Sequence, residues 1–143
     1  MLIVDKKYME DRIGVSFIGT VDVVLAISGD KQRCRITVVD NHGYIRIHNA
    51  SIDKCILLFS TIKAALQNGY IPEYHNKQSI EEDDMDPYMY DPFDVHISGR
   101  DNDMVIFLIR EHSFSLYMKD KDDSCVQLQK LINFLYRYRS HES

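Results

Sequence analysis

Two hydrophobic rhythms run along the chain, a period of two and a period of three to four, and each occurs in two blocks. In the first block Arg12–Ile18 and Thr20–Ser28 are rich in Val, Ile and Phe and read as strands, with Gly19 as the bend between them. Gly29-Asp30-Lys31-Gln32 is turn chemistry. Arg33–Asp40 alternates, with Cys34, Ile36 and Val38 on one face and Arg33, Arg35 and Thr37 on the other. Asn41-His42-Gly43 supplies a tight turn, because Asn and Gly tolerate the backbone a hairpin requires. Tyr44–Asn49 returns with Ile45 and Ile47 inward and Tyr44, Arg46 and His48 outward. The rhythm then changes: Ile52, Cys55, Ile56, Phe59, Ile62 and Leu66 fall on one helical face, with Ser51 suited to the N-cap, Gly69 to the C-terminal cap, and Pro72 blocking continuation.

The second block repeats this order. Phe93–Ser98 and Met104–Arg110 read as strands around a turn at Gly99–Asp103. A turn near Glu111-His112-Ser113 leads to a strand at Phe114–Lys119. Met104–Ile109 is apolar at every position, which predicts a central strand covered above and below. A closing helix, capped near Asp122 or Asp123, carries Cys125, Leu128, Ile132 and Leu135 on one face. Lys130, Arg137 and Arg139 lie toward its C-terminus, where the helix dipole favours cations.

A gapless shift of 70 positions brings the blocks into register. Ile27-Ser28-Gly29 falls on Ile97-Ser98-Gly99, Ile36 on Ile106, His42 on His112, Asp53 on Asp123, Cys55 on Cys125, Leu58 on Leu128 and Ile62 on Ile132. Those nine identities between Asp22–Gly69 and its shifted partner compare with roughly three expected at ordinary residue frequencies. A duplicated unit follows, spanning 12–70 and 92–139 within one domain of 1–143, joined by an insert at 73–94. Ile45 and Ile47 shift onto Ser115 and Tyr117, so a one-residue slip in the hairpin turn is needed to bring Leu116 and Met118 to the inner face. The same shift makes His42 and His112 equivalent turn residues. The predicted fold class is α+β, two repeated antiparallel ββββα units with helices packed on the sheets.

Composition supports folding and narrows the function. With 45% hydrophobic and 27% charged residues the chain is a globular rather than a disordered type. The opening MLIVDKKYMEDR has too short an apolar run for a signal peptide, and no stretch approaches the ~20 apolar residues of a membrane span. The expected location is the cytoplasm, where Cys34, Cys55 and Cys125 stay reduced as core residues. No catalytic or phosphate-binding motif is present and the six histidines are scattered, so an enzyme and a bound cofactor are not expected. Asp83, Asp84 and Asp86 lack the glycine pivot and terminal Glu of a calcium loop, and no metal is expected.

Charge is uneven. Glu73–Asp103 holds ten acids and two bases, a net of −8, while the remainder is +3. The insert at Glu73–Asp94 contains Pro87 and Pro92 and reads as a long exposed loop. Within it Glu81, Glu82, Asp83, Asp84, Asp86, Asp91 and Asp94 surround Tyr88, Tyr90 and Phe93. Carboxylates steer a basic partner and aromatics hold it, so the partner-binding set is Glu81, Glu82, Asp83, Asp84, Asp86, Tyr88, Tyr90, Asp91 and Asp94. The competing surface is Arg33, Arg35, Tyr44, Arg46 and His48, a basic and aromatic platform for single-stranded nucleic acid. A pI of 5.6 argues against that platform, since such binding comes largely from neutralising phosphates.

The repeated unit, with helices at Ile52–Asn68 and Asp123–Arg139 and the strands preceding them, resembles the Whirly and PUR single-stranded nucleic-acid-binding folds. The likeness covers nearly the whole chain and lies in architecture, without a Whirly basic motif or a PUR signature. A small acidic protein with such a sheet also resembles the immunity proteins of bacterial contact-dependent growth inhibition, some of which are Whirly-like and block nuclease toxins. That resemblance implies a cognate basic toxin domain, an RNase or DNase, as partner; apart from it, no membrane is expected, nucleic acid is not the expected partner, and a homodimer is left open. The alternatives are a Whirly/PUR-type regulator binding single-stranded nucleic acid and a phage-encoded inhibitor of a host nuclease.

Overall fold

The computed structural model describes residues 11–29, 31–69, 78–79 and 92–139. Four strands, β1 (Asp11–Ser16), β2 (Asp22–Ile27), β3 (Arg33–Asp40) and β4 (Gly43–Ser51), form an antiparallel meander that leads into helix α1 (Ile52–Asn68). A second antiparallel sheet follows, made of the two-residue β5 (Gln78–Ser79), β6 (Pro92–Ser98), β7 (Met104–Ile109) and β8 (His112–Tyr117), and leads into α2 (Lys121–Arg139). The molecule is thus α+β, with two antiparallel sheets and two helices, and the helices pack on each other and touch strands of both sheets.

Alternation sets the inner faces. Val15, Val23, Leu25, Ile27, Cys34, Ile36, Val38, Ile45 and Ile47 are buried from the first sheet, and Phe93, Val95, Val105, Phe107, Ile109, Phe114 and Leu116 from the second. The helices cover both. α1 lies against β4 of its own sheet and against β6 and β7 of the other, while α2 touches β8 and β1. The buried side chains consequently form one cluster through both sheets, and each large apolar member contributes roughly 1.5–3 kcal/mol by leaving water.

α1 starts where Ser51 Oγ accepts the Lys54 amide (3.4 Å) and stops at Gly69, whose φ of +73° lets its amide reach the Ala65 carbonyl (3.0 Å). The two helices run antiparallel. Arg139 Nε at the end of α2 is 2.9 Å from Asp53 Oδ1 at the start of α1, and midway Lys63 donates to Gln129 Oε1. Arg137 and the Tyr138 hydroxyl both donate to Asp11 Oδ2, which ties the end of α2 to the start of β1.

Several expectations are corrected. β1 ends at Ser16 rather than Ile18, because Phe17 and Val21 close a tight turn (amide to carbonyl, 2.8 Å) with Gly19 at φ +67° and Ile18 54% exposed at its tip. β7 is central within its sheet but covered on one face: Val105, Phe107 and Ile109 are buried, whereas Met104, Ile106 and Leu108 on the other face are only half-buried. β8 begins at His112, two residues earlier than predicted. Asp40 pairs with Gly43 and Ile109 with His112, so each hairpin has a two-residue tip, Asn41-His42 in the first and Arg110-Glu111 in the second. The tips lie one residue short of the 70-residue shift, which is the slip that brings Leu116 inward; Met118 has already left the strand in a 3₁₀ turn at Met118–Asp120. His42 and His112 are accordingly not equivalent, the first in a turn and the second in a strand stacked on Phe114 (6.5 Å). α2 begins at Lys121, so Asp122 and Asp123 sit in its first turn rather than at its cap, where they still complement the helix dipole. Cys34 and Cys55 are buried and Cys125 half-buried, all three free.

Candidate functional site

Among the residues assigned to partner binding, Glu81, Glu82, Asp83, Asp84, Asp86, Tyr88, Tyr90 and Asp91 lie outside the described residues. Asp94 is described. It occupies the outer face of β6 opposite Leu108, half-buried, with Oδ2 4.0 Å from His96 Nδ1. The remaining acids of the −8 stretch that are described, Asp101 and Asp103, are exposed in the turn beyond the far end of β6. That turn places Asp101 and Asn102 at positive φ (61° and 55°), a backbone which Asp and Asn tolerate better than most residues. The described acids therefore bracket β6 at its two ends.

The outer face of the first sheet has the opposite character. Cross-strand pairing arranges it in rows: Arg12, Ala26 and Arg35; Gly14, Val24, Thr37 and Arg46; Ser16, Asp22, Val39 and Tyr44. Three arginines thus share one face with a single acid in its rows. Arg46 Nε donates to Thr37 Oγ1 (3.0 Å), which covers Thr37, and its guanidinium lies 5.8 Å from the centre of the Tyr44 ring. Tyr44 is 63% exposed, and Val24 and Val39 are also open to solvent. Arg33 is directed elsewhere: its guanidinium donates to the Asn49 carbonyl, beside the irregularity between Cys34 and Ile36. Of the residues the sequence placed on this platform, Arg35, Tyr44 and Arg46 come together there, and His48 is exposed beyond them along β4. Arg12 was missed, although its alternation with Ile13 and Val15 would have placed it.

A third feature joins the two sheets. The turns carrying Thr20 and Asp40-Asn41-His42 face the outer side of β8, where Ser113, Ser115 and Tyr117 alternate outward, and between them lies a cleft of about 280 Å³. Thr20 Oγ1 is buried and has no hydrogen-bond partner among the described residues. His42 donates its amide to Asp40 Oδ1 (2.8 Å), which fixes the turn on that side.

Burial pushes the Cys55 thiol well above its ordinary range, and hydrogen bonding to the adjacent Cys34 pushes it further, so Cys55 is not poised as a nucleophile. Cys125 is also raised, by burial first. Among the described residues no group of three His, Cys, Asp or Glu side chains is placed to hold a metal, and no helix is long and apolar enough to cross a membrane. The chain matches no known protein-family model, no curated protein and no solved structure.

Proposed function

We propose that the chain is an immunity-type inhibitor that binds a basic nuclease toxin domain, an RNase or DNase, and covers its active site by occlusion rather than by chemistry. The observation that carries this reading is the segregation of charge, −8 over Glu73–Asp103 against +3 elsewhere. The described acids of that stretch belong to the second sheet and the arginine rows to the first, which supports a molecule with one cation-seeking side. Glu81, Glu82, Asp83, Asp84, Asp86, Asp91 and Asp94 pair with the toxin's Lys and Arg residues, and Tyr88 and Tyr90 fill pockets on it. The element order, four strands and a helix taken twice, supports a Whirly/PUR-like repeat as the mount. Cytoplasmic residence is part of the same proposal.

The triple variant Asp83→Lys, Asp84→Lys, Asp86→Lys tests it against a nuclease domain encoded beside the gene. Association at low salt should slow by on the order of 100-fold and its salt dependence should weaken, with thermal unfolding unchanged. Capture at the wild-type rate would refute the assignment.

A second reading is favoured by the rows of Arg12, Arg35 and Arg46 beside Tyr44: a regulator that lays single-stranded nucleic acid on the first sheet. Its test is anisotropy of a labelled oligothymidine under salt titration. Three phosphate contacts give a slope of log affinity on log salt near about −2, and no measurable binding removes the reading.

A further inference from the structure

We propose that the edge of β4 takes up an extended acidic segment of another polypeptide as an added strand of the first sheet. The argument is independent of the inhibitor reading and starts from register. The Ser28 amide donates to the Arg33 carbonyl (2.9 Å), and bonded and open pairs alternate along an antiparallel ladder, so Arg33, Arg35, Thr37 and Val39 turn their backbone groups toward β2. Ile36, Val38 and Asp40 therefore turn theirs toward β4, where they pair with Ile47, Ile45 and Gly43. Between those partners the backbone N–H and C=O of Tyr44 and Arg46 face away from β3, and β4 is a terminal strand of its sheet.

The other terminal strands are curtailed, as sheet edges in folded proteins usually are. β5 has two residues, β8 faces the turns of the first sheet across the cleft, and the start of β1 is clasped by Arg137 and Tyr138. β4 runs for nine residues, and among the described residues no strand lies on its far side. Arg46 does not bar this edge. It lies back over the sheet, with Nε on Thr37 Oγ1 (3.0 Å) and the guanidinium 5.8 Å from the centre of the Tyr44 ring.

Charge selects the occupant. Main-chain groups accept any extended chain, and the side chains set opposite one another fix the preference. Residues opposite Tyr44 and Arg46 would share the outer face with the arginine rows, which favours carboxylates. Residues opposite Ile45 would continue the inner face, where Ile45 and Ile47 are buried, which favours apolar β-branched side chains. The fitting segment alternates acidic and apolar residues. A second copy of β4 would instead extend an arginine-bearing face with its own like charge.

The experiment is amide hydrogen exchange of the full chain, read by two-dimensional NMR, with a short peptide alternating glutamate and valine. Its controls are the lysine and valine counterpart and the acidic peptide N-methylated on either its glutamates or its valines. In the free chain the Tyr44 and Arg46 amides should exchange about tenfold or more faster than those of Ile45 and Ile47. The acidic peptide should slow Tyr44 and Arg46 saturably. Methylation of the glutamates, whose amides would face β4, should abolish that protection, and methylation of the valines should leave it. Arg46→Glu should weaken the acidic peptide about fivefold and favour the lysine peptide, with slow exchange at Ile45 and Ile47 verifying an intact ladder; the methylated peptides test the same contact without altering the protein. Slow exchange of Tyr44 and Arg46 in the dilute free chain, protection that grows with protein concentration alone, no protection by the acidic peptide, or equal protection by its glutamate-methylated form would overturn the proposal.

Discussion

The outer faces of the two sheets are built on the same inner architecture and diverge in chemistry. Inside, each sheet presents alternate Val, Ile, Leu and Phe to the same pair of helices. Outside, the first sheet carries Arg12, Arg35 and Arg46 with Tyr44, and the second carries Asp94, His96 and Ser98, then Met104, Ile106 and Leu108, then Ser113, Ser115 and Tyr117. Inner positions are constrained by packing density, so they converge on apolar residues of fitting volume. Outer positions are constrained by what they meet in solution, and the contrast between them is where function should be sought.

The largest effect tests whether the two sheets share one core. Phe59 on α1 and Phe107 on β7 are each almost fully buried in the common cluster. Phe59→Ala and Phe107→Ala should each cost about 3–5 kcal/mol and shift a single cooperative transition, followed by circular dichroism during urea unfolding. Two separated transitions, each moved by only one substitution, would divide the molecule at the helix pair.

Next comes the helix end that follows the first sheet. Gly69 holds φ at +73° in space that a Cβ would not crowd, so Gly69→Ala should cost about 1 kcal/mol through backbone strain alone. An unchanged urea midpoint would mean that the cap relaxes. Ser51→Ala at the other end should cost a similar amount, about 1 kcal/mol.

The thiols separate inside from outside without mutation. Cys34 and Cys55 are buried, and the Cys55 pKa is raised, so the thiolate that reacts is suppressed. In the native protein a thiol-specific reagent should modify Cys125 slowly and spare the other two until denaturant is added; raising pH toward 9 should speed Cys125 while leaving Cys34 and Cys55 protected. Rapid native labelling of all three would contradict the packing of β3 on α1.

The smallest expected change in stability, within about 0.5 kcal/mol per site, belongs to Arg12→Ala, Arg35→Ala and Arg46→Ala. If oligothymidine binds, each should reduce the salt slope by about 0.7. If the acidic side is the working one, the triple arginine variant should capture the nuclease domain as the wild type does.

Much of this was legible in the sequence because alternation and helical spacing report burial directly. β3, β4 and both helices follow from the positions of Cys34, Ile36, Ile45, Ile47 and the Ile52 to Leu66 face. The second hairpin was misplaced for a physical reason. Its tip places Arg110 at φ +56°, and neither that residue nor Glu111 is the Gly or Asn that ordinarily announces such a turn. β7 was expected to be covered on both faces because Ile106 and Leu108 are apolar, yet their strand neighbours Asp94, His96, Ser113 and Ser115 are polar and leave that face open. The arginine rows required knowledge of pairing, since Arg12 and Arg35 meet across β2 only once the register is fixed. The cleft was beyond sequence reasoning altogether, being made by turns of one sheet and a strand of the other.

The most direct test is amide hydrogen exchange of the chain, free and in the presence of the basic nuclease domain proposed as its partner. The account predicts that protection on binding is centred on residues 81–94 and leaves the rows of Arg12, Arg35 and Arg46 unchanged. Protection confined to those rows, with 81–94 exchanging as in the free protein, would contradict it.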